Sequence, residues 1–294
     1  MKYGVITKSI ATIYECPALT MESDGKTLSA ISDQVLYGML VAVKEETENG
    51  YYGVQTFYGY SGYLLKEDLL LLEEAEAKIW ENSNLYVVSG ICVDVMSLPK
   101  VQGICLASLF RGALLSVEEW DAQDSGWAKV RLIDGTSGYI RNQYLWEKKF
   151  SQEGIFGGKP VQREVVDEEK FRLDVTETAR LYLGVQYRWG GRCPAGIDCS
   201  GLTSQSYLLN GILTWRDAKI VDGFPVHEIA REDVKPGDLL YFPGHIAMYL
   251  GDGEYIHSTG KVGSGGVVIN SLNPESPVYR QDLVDSLYAV GSIF

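Results

Sequence analysis

Residues 187–202 read YRWGGRCPAGIDCSGL, a glycine-rich loop that leads to Cys199 on the first turn of a predicted helix. The N–H groups and the dipole of a helix N-terminus stabilise an anion, so we expect the thiolate of Cys199 to be accessible near neutral pH. All three histidines of the chain, His227, His245 and His257, lie downstream and can supply a base. This stretch therefore predicts a nucleophilic cysteine.

The length and composition of the chain predict ordinary globular domains. The chain has 294 residues, which suggests two or three domains at roughly 100 to 200 residues each. Hydrophobic residues make up 46% and charged residues 22% of it, which argues against disorder and against a coiled coil. The formal net charge of −13 argues against nucleic acid and against an anionic membrane as partners, because phosphate binding needs clustered lysine and arginine.

The five cysteines favour a reducing compartment. Their number is odd and no CxxC pair occurs, so neither a zinc finger nor a regular disulfide framework is indicated. Cys193 and Cys199 lack the short spacing of zinc ligands, so we expect no metal and no cofactor. The first 14 residues contain no apolar segment of signal-peptide length, which predicts a cytoplasmic protein. A cell-wall or secreted location stays open if a leader has been removed, and a monomer is the simplest expectation.

The first half of the chain contains an internal repeat with an offset of 76 residues. The residues that recur are Gly59, Ser61, Gly62, Tyr63 and Leu69, as Gly135, Ser137, Gly138, Tyr139 and Leu145. Matches of this density indicate a duplication. Each copy consists of short alternating apolar runs broken by turn residues, which predicts two small β-barrels.

The order of elements in each copy resembles the bacterial SH3 (SH3b) domain. The first copy closes on GYSGYL at residues 59–64, and the second keeps SGYI at residues 137–140 but has Thr136 in place of Tyr60. We therefore expect SH3b-like domains at residues 1–74 and 75–149. A linker is expected at residues 150–167, where Gly, Gln, Lys and Pro replace the alternating pattern.

The second half predicts an α+β domain at residues 168–294. One helix should begin after Asp167 and stop at Gly184, and another should run from Cys199 to Asn210. Strands should follow at residues 239–242, 246–250, 255–258, 267–269 and 288–294. Helices that precede antiparallel strands are typical of this fold class.

Whether His245 and His257 can meet depends on the register of the hairpin that carries them. A two-residue loop at Asp252 and Gly253 would place the two histidines on opposite faces of the sheet. A three-residue loop at residues 251–253 would pair Leu250 with Glu254 and put both histidines on one face. The second arrangement permits a histidine pair.

A thiol at a helix N-terminus, a histidine base and a second polar group that orients the base are the parts of a cysteine nucleophile site. In this interpretation His245 accepts the proton of Cys199, which attacks an amide carbonyl. His257 holds His245 in the right tautomer, and the backbone N–H groups around Cys199 form the oxyanion hole.

The motifs of the second half resemble the NlpC/P60 family of papain-like cell-wall peptidases. They are YRWGG at 187–191, DCSGL at 198–202, PGDL at 236–239, GHIAMYLG at 244–251 and YIHS at 255–258. With two SH3b-like modules in front, the chain is similar to the γ-D-glutamyl-L-diamino acid endopeptidases that recycle peptidoglycan stem peptides. The resemblance implies a papain-like catalytic domain that cleaves between γ-D-Glu and L-Lys or diaminopimelate, in substrates with a free N-terminal L-Ala.

The resemblance also implies the residues that bind substrate. Asp198 and Ser200, with an aromatic residue of the first SH3b domain, would enclose the substrate N-terminus, and Tyr60 is our candidate for that aromatic. Tyr187 and Trp189 would line the cleft. At residues 213–218 this chain reads LTWRDA, where relatives often have Pro before Arg-Asp and Ser after it, so a hydroxyl contact to substrate is expected to be missing.

Several plainer interpretations stay open. Asp198 could serve only as the N-cap of the helix. Cys193 is expected in a loop near the site, and His227 in an exposed loop. The whole protein could instead be an inactive cell-wall or peptide-binding protein, or a thiol acyltransferase or amidase of the same fold.

Overall fold

The computed structural model of the chain describes residues 2–121 and 126–294. The chain divides into two compact units between Val161 and Gln162. Within the described parts of the chain, every helix is too short or too polar to span a bilayer.

The first unit contains two antiparallel sheets of seven strands each. The early strands are β1 (Lys2–Ile6), β2 (Ile10–Tyr14), β3 (Thr20–Ser23), β4 (Lys26–Ser29), β5 (Ile31–Leu36), β6 (Leu40–Glu46), β7 (Tyr51–Thr56), β8 (Ser61–Leu65) and β9 (Leu69–Leu72). Helix α1 (Glu74–Glu81) separates them from β10 (Leu85–Val88), β11 (Cys92–Met96), β12 (Cys105–Phe110), β13 (Leu114–Glu119), β14 (Trp127–Arg131), β15 (Ser137–Arg141) and β16 (Leu145–Glu147). Strands β3 and β4 pair only with each other.

The two large sheets have the same topology. Their strand orders are β5-β2-β8-β7-β6-β1-β9 and β12-β11-β15-β14-β13-β10-β16, so each strand of the first large sheet has an equivalent in the second. The repeated glycines have a physical reason. A Cβ on Gly62 would lie 2.4 Å from Cγ2 of Ile13, and a Cβ on Gly138 would lie 2.5 Å from Cγ1 of Val95. This shared topology accounts for the repeat, and the assignment of the two copies to SH3b domains stays a prediction.

Part of the expected linker at residues 150–167 is packed rather than extended. It contains the short helix α2 (Gly154–Gly157), and Phe150 and Ile155 are buried. The Gln152 side chain is also buried, where it donates to Oε2 of Glu81 at 2.8 Å and accepts from the Leu40 N–H at 2.8 Å. These apolar and amide groups hold the segment to the first unit.

The second unit places helices beside a six-stranded antiparallel sheet. Its helices are α3 (Glu168–Arg180), α4 (Cys199–Leu209) and α5 (Gln281–Ser286). A two-stranded ribbon of β17 (Arg192–Cys193) and β18 (Gly196–Ile197) precedes α4. The sheet has the order β19-β24-β20-β21-β22-β23, with strands β19 (His227–Ile229), β20 (Leu239–Phe242), β21 (His245–Gly251), β22 (Glu254–Thr259), β23 (Gly266–Ser271) and β24 (Ala289–Ser292).

The helix boundaries follow from local chemistry. Asp167 caps α3 by accepting from the Lys170 N–H, and Asp198 caps α4 in the same way. Every residue of α4 is buried, so this helix is the centre of the second unit. Two expectations were wrong here. His227 is exposed but lies in edge strand β19 rather than a loop, and Cys193 is fully buried in β17.

Candidate active site

The start of α4 is held by close backbone packing of the glycine-rich loop. Oδ1 of Asp198 accepts from the N–H of Gly201 at 2.6 Å, which satisfies one of the free donors of the first turn. A Cβ on Gly201 would lie 2.2 Å from the carbonyl oxygen of Gly191, and a Cβ on Gly191 would lie 2.4 Å from that of Gly196. Only glycine fits at these two positions, so the loop sequence fixes where Cys199 enters the helix.

The register of the β21–β22 hairpin puts both histidines on one face of the sheet by a feature that the sequence did not predict. Its turn has two residues, Asp252 and Gly253, both with positive φ (50° and 77°), as a type I′ turn requires. Gly251 pairs with Glu254, but Tyr249 pairs with Tyr255, so Leu250 is an extra residue in a β-bulge. Of the two loops considered from the sequence, the two-residue one is present, and the bulge supplies the change of face that the three-residue loop would have given.

The bulge brings the two histidines together. Nε2 of His245 lies 2.7 Å from Nδ1 of His257, and the rings are near perpendicular at 75°. Nε2 of His257 lies 2.8 Å from Oδ1 of Asn270. His257 is fully buried, whereas His245 is partly exposed. The result is a continuous chain of polar atoms from β23 to β21.

The thiol of Cys199 lies beside the first residues of β21. The backbone N–H groups of Ile246 and Ser200 hydrogen-bond to its sulfur and favour the thiolate. Ile246 follows His245 directly, so the sulfur and the histidine pair occupy one site. The fold therefore brings Cys199, His245 and His257, which are far apart in the sequence, into one site.

Burial disfavours the charged forms of the thiol and of both imidazoles in this site. Burial and the negative charge of Asp198 raise the pKa of Cys199 to about 11, more than the two N–H groups and Arg216 lower it. Burial lowers the pKa of His245 to about 3, and that of His257 to about 4 although its hydrogen bond to Asn270 acts in the opposite direction. The expected thiolate at neutral pH is not supported, because loss of solvent outweighs the helix N-terminus.

Asp198 forms an ion pair that the sequence analysis missed. Nη2 of Arg216 lies 2.9 Å from Oδ2 of Asp198, and Nη1 lies 3.1 Å from Oδ1. Nη1 also donates to Oγ of Ser200 at 2.8 Å. All three residues are buried. Arg216 belongs to the segment LTWRDA at residues 213–218, where it is the only cation and so the one signal for such a pair.

Three further residues were expected to bind substrate, namely Tyr187, Trp189 and Tyr60. Burial, together with the charges of Cys199 and Asp198, raises the pKa of Tyr187, which puts this phenol in the field of the site. Trp189 is 65% exposed. Tyr60 lies in the first unit, in the turn between β7 and β8, where its N–H donates to Oγ1 of Thr56 at 3.0 Å. Its expected role stays a prediction.

The five cysteines all lie in the described residues, and none of them forms a disulfide bond. Among residues 2–121 and 126–294, no group of three or more His, Cys, Asp or Glu side chains could hold a metal ion.

The Asp198–Arg216 pair should behave as a coupled unit in unfolding experiments. Arg216→Met leaves a buried carboxylate without its cation, so we expect the free energy of unfolding to fall by about 3–5 kcal/mol. Asp198→Asn keeps an oxygen that can cap the helix but leaves the buried Arg216 guanidinium without its carboxylate, so it should also lower the free energy of unfolding. The double variant should lose less than the sum of the two, with a coupling energy of about 0.5–3 kcal/mol. Circular dichroism at 222 nm in urea reports mainly α3 and α4, which lie in the second unit.

Lys170→Met is the matched control, because it removes the exposed Lys170–Asp174 pair on α3 and should cost no more than about 0.5 kcal/mol. Strictly additive losses for the two buried substitutions would contradict the assigned ion pair.

The raised pKa of Cys199 predicts how the thiol reacts with iodoacetamide. A thiol whose pKa lies above that of free cysteine has little thiolate at neutral pH, so alkylation should still accelerate above pH 9. Mass spectrometry of the Cys199 peptide gives the rate at each pH. Exposed Cys105 in the same samples controls for the reagent. A rate that is already at its plateau near pH 7 would indicate a preformed thiolate and contradict this account.

Comparison with known proteins places this geometry in a family. The model of the NlpC/P60 family matches residues 184–285. Dipeptidyl-peptidase 6 of Lysinibacillus sphaericus is 38% identical over 292 residues, which cover 99% of both chains. The gamma-D-glutamyl-L-lysine dipeptidyl-peptidase of Bacillus subtilis (strain 168) is 31% identical over 164 residues, which cover 52% of this chain and 50% of that protein.

A solved structure agrees in fold over the whole chain. The crystal structure of an NlpC/P60 family protein from Bacillus cereus ATCC 10987 aligns with a TM-score of 0.72 at 20% identity, covering 98% of each chain. The nearly full-length match to a peptidase and the family match over the site together carry the assignment. The chain belongs to the NlpC/P60 family and is a hydrolase of the cysteine-peptidase type.

Proposed function

We propose that this protein hydrolyses the bond between γ-D-Glu and L-Lys or diaminopimelate in peptidoglycan stem peptides that have a free N-terminal L-Ala. The observation that carries the proposal is the 2.7 Å contact between His245 and His257 beside the sulfur of Cys199. The name of the Bacillus subtilis relative, a γ-D-glutamyl-L-lysine dipeptidyl-peptidase, supports the substrate class. A cytoplasmic role in murein peptide recycling is part of the proposal and rests on the sequence alone.

In the proposed mechanism, proton transfer and attack occur together. Burial favours the neutral thiol and the neutral imidazoles, so His245 acts as a general base that removes the thiol proton as sulfur attacks the carbonyl carbon. The backbone N–H at Cys199 faces the carbonyl oxygen as it becomes negative. Protonated His245 then gives its proton to the leaving amine of the diamino acid, and water releases the dipeptide from the sulfur.

The buried ion pair changes how the substrate amine is recognised in this proposal. Asp198 was expected to receive the amine as a free carboxylate, but Arg216 neutralises it. Arg216 also donates a hydrogen bond to the Ser200 hydroxyl. An ammonium group that binds here meets a network with little net charge. We therefore place its contribution at the low end of the range for a buried charged contact, about 2 kcal/mol.

The test is to incubate the full chain with L-Ala-γ-D-Glu-L-Lys and follow the products by mass spectrometry. We expect release of L-Ala-γ-D-Glu and lysine, no turnover by Cys199→Ala, and normal turnover by Cys105→Ala, which removes an exposed thiol of the first unit. Acetylation of the peptide N-terminus should lower kcat/KM by roughly 30-fold, the equivalent of 2 kcal/mol.

Other outcomes would replace the proposal. Activity that survives Cys199→Ala would remove the nucleophile assignment. Binding without turnover would indicate a peptide-binding protein, and capture of the acyl group by added glycinamide in preference to water would indicate an acyltransferase. Equal cleavage of free and acetylated peptides would show that the substrate amine is not recognised.

A further inference from the structure

We infer that Asn270 is a positioning residue that fixes the tautomers of His257 and His245, and so keeps Nδ1 of His245 free to accept the proton of Cys199. The inference rests on the proposed function for its meaning in catalysis, but its evidence is the geometry of β22 and β23. Asn270 was not singled out by the sequence analysis.

The sheet register places Asn270 beside His257. His257 pairs with Val268 and Tyr255 pairs with Asn270, so Asn270 is the diagonal neighbour of His257 on the same face of the sheet. Its side-chain oxygen lies 2.8 Å from Nε2 of His257. No other strand lies between them, and the contact is direct.

The orientation of the Asn270 amide is fixed by a backbone carbonyl. Nδ2 of Asn270 donates to the carbonyl oxygen of Val278 at 2.8 Å. A carbonyl oxygen can only accept a hydrogen bond, so the NH₂ end of the amide must face Val278 and the oxygen end must face His257. The same carbonyl also accepts from the Ser271 N–H at 3.2 Å, which holds the residue 278 backbone in place.

The proton positions then follow in sequence along the chain of contacts. The amide oxygen accepts, so Nε2 of His257 carries hydrogen, and in the neutral ring Nδ1 is then without one. Nδ1 of His257 must therefore accept from Nε2–H of His245 across 2.7 Å. The neutral ring of His245 keeps Nδ1 as its bare nitrogen, and this is the nitrogen left to take the proton of Cys199.

Without Asn270 the opposite order becomes available. His257 could carry its hydrogen on Nδ1 and donate to Nε2 of His245, which would put the His245 hydrogen on Nδ1. That nitrogen would then carry a hydrogen and could not act as a base. Asn270 excludes this inactive arrangement, as an orienting group does in other nucleophile sites.

The charged groups around the pair do not set this order. Arg280 lowers the pKa of both histidines through its charge, and Asp282 raises that of His257. These two residues form an ion pair with each other, and Nη2 of Arg280 lies 2.6 Å from Oδ2 of Asp282. They shift the charge state of the rings but contact neither imidazole through a hydrogen bond in the described residues.

The closing experiment compares Asn270→Leu and Asn270→Asp with the wild-type chain by two readouts. One readout is turnover of L-Ala-γ-D-Glu-L-Lys, and the other is alkylation of Cys199 by iodoacetamide, which needs no peptide. For Asn270→Leu we expect kcat to fall on the order of 100-fold with little change in KM, because the base is affected and the substrate contacts are not. Asn270→Asp keeps an acceptor for Nε2–H and should recover most of this loss, with the acid limb of its pH profile moved to higher pH.

The alkylation rate separates positioning from simple damage. The Asn270→Leu defect should be largest near pH 7, where His245 must remove the thiol proton, and should shrink towards pH 11, where hydroxide removes it. A defect of equal size at every pH, or none at all, would overturn the inference. If the wild type does not cleave the peptide, the proposed function fails while the alkylation profiles still test Asn270. If either variant does not fold, judged by circular dichroism, Asn270→Ser replaces it in the same assays.

Discussion

One inserted residue decides whether this domain can have a histidine pair at all. Successive side chains of a strand point to opposite faces, so a tight two-residue turn at Asp252 and Gly253 in a regular ladder would separate His245 from His257. The β-bulge at Leu250 shifts the pairing by one residue and restores them to a common face. The contact between the two imidazoles, and with it the order of protons inferred for them, depends on this shift.

The groups of this site are largely shielded from solvent, and the charge of Asp198 is balanced by that of Arg216. The sulfur is held by two backbone N–H groups, yet burial still favours the thiol, and the adjacent carboxylate of Asp198 is paired with Arg216. In the proposed mechanism, a neutral thiol next to a neutral imidazole reacts only when a carbonyl is bound to accept the sulfur. The helix N-terminus places the sulfur and orients N–H groups towards it. It lowers the thiol pKa less than its position in the sequence led us to expect.

What could be predicted from the sequence was local or repeated. The starts of two helices could be predicted from Asp167 and Asp198, since a capping contact joins residues only three apart. The duplication is visible because glycines recur where strands pack closely, as at Gly62 and Gly138.

What could not be predicted depended on contacts that only the fold creates. The bulge at Leu250 is set by how two strands pair. Gly251, with φ of 102°, suits the bulge, but a glycine before a turn does not by itself specify one. Arg216 contacts Asp198, 18 residues away in sequence, and Asn270 on β23 contacts His257 on the neighbouring strand β22. Edge strand β19 has three residues, too few for an alternating pattern to be recognised.

The central claim, the order of protons on the two histidines, can be measured directly by ¹⁵N NMR of the full chain labelled at histidine. The chain has three histidines, and exposed His227 can be assigned by substitution, so the resonances of the pair are identifiable. At neutral pH we expect both His257 and His245 to be neutral with hydrogen on Nε2 and a bare Nδ1. Hydrogen on Nδ1 of either ring, or a charged imidazolium in the resting enzyme, would contradict the account.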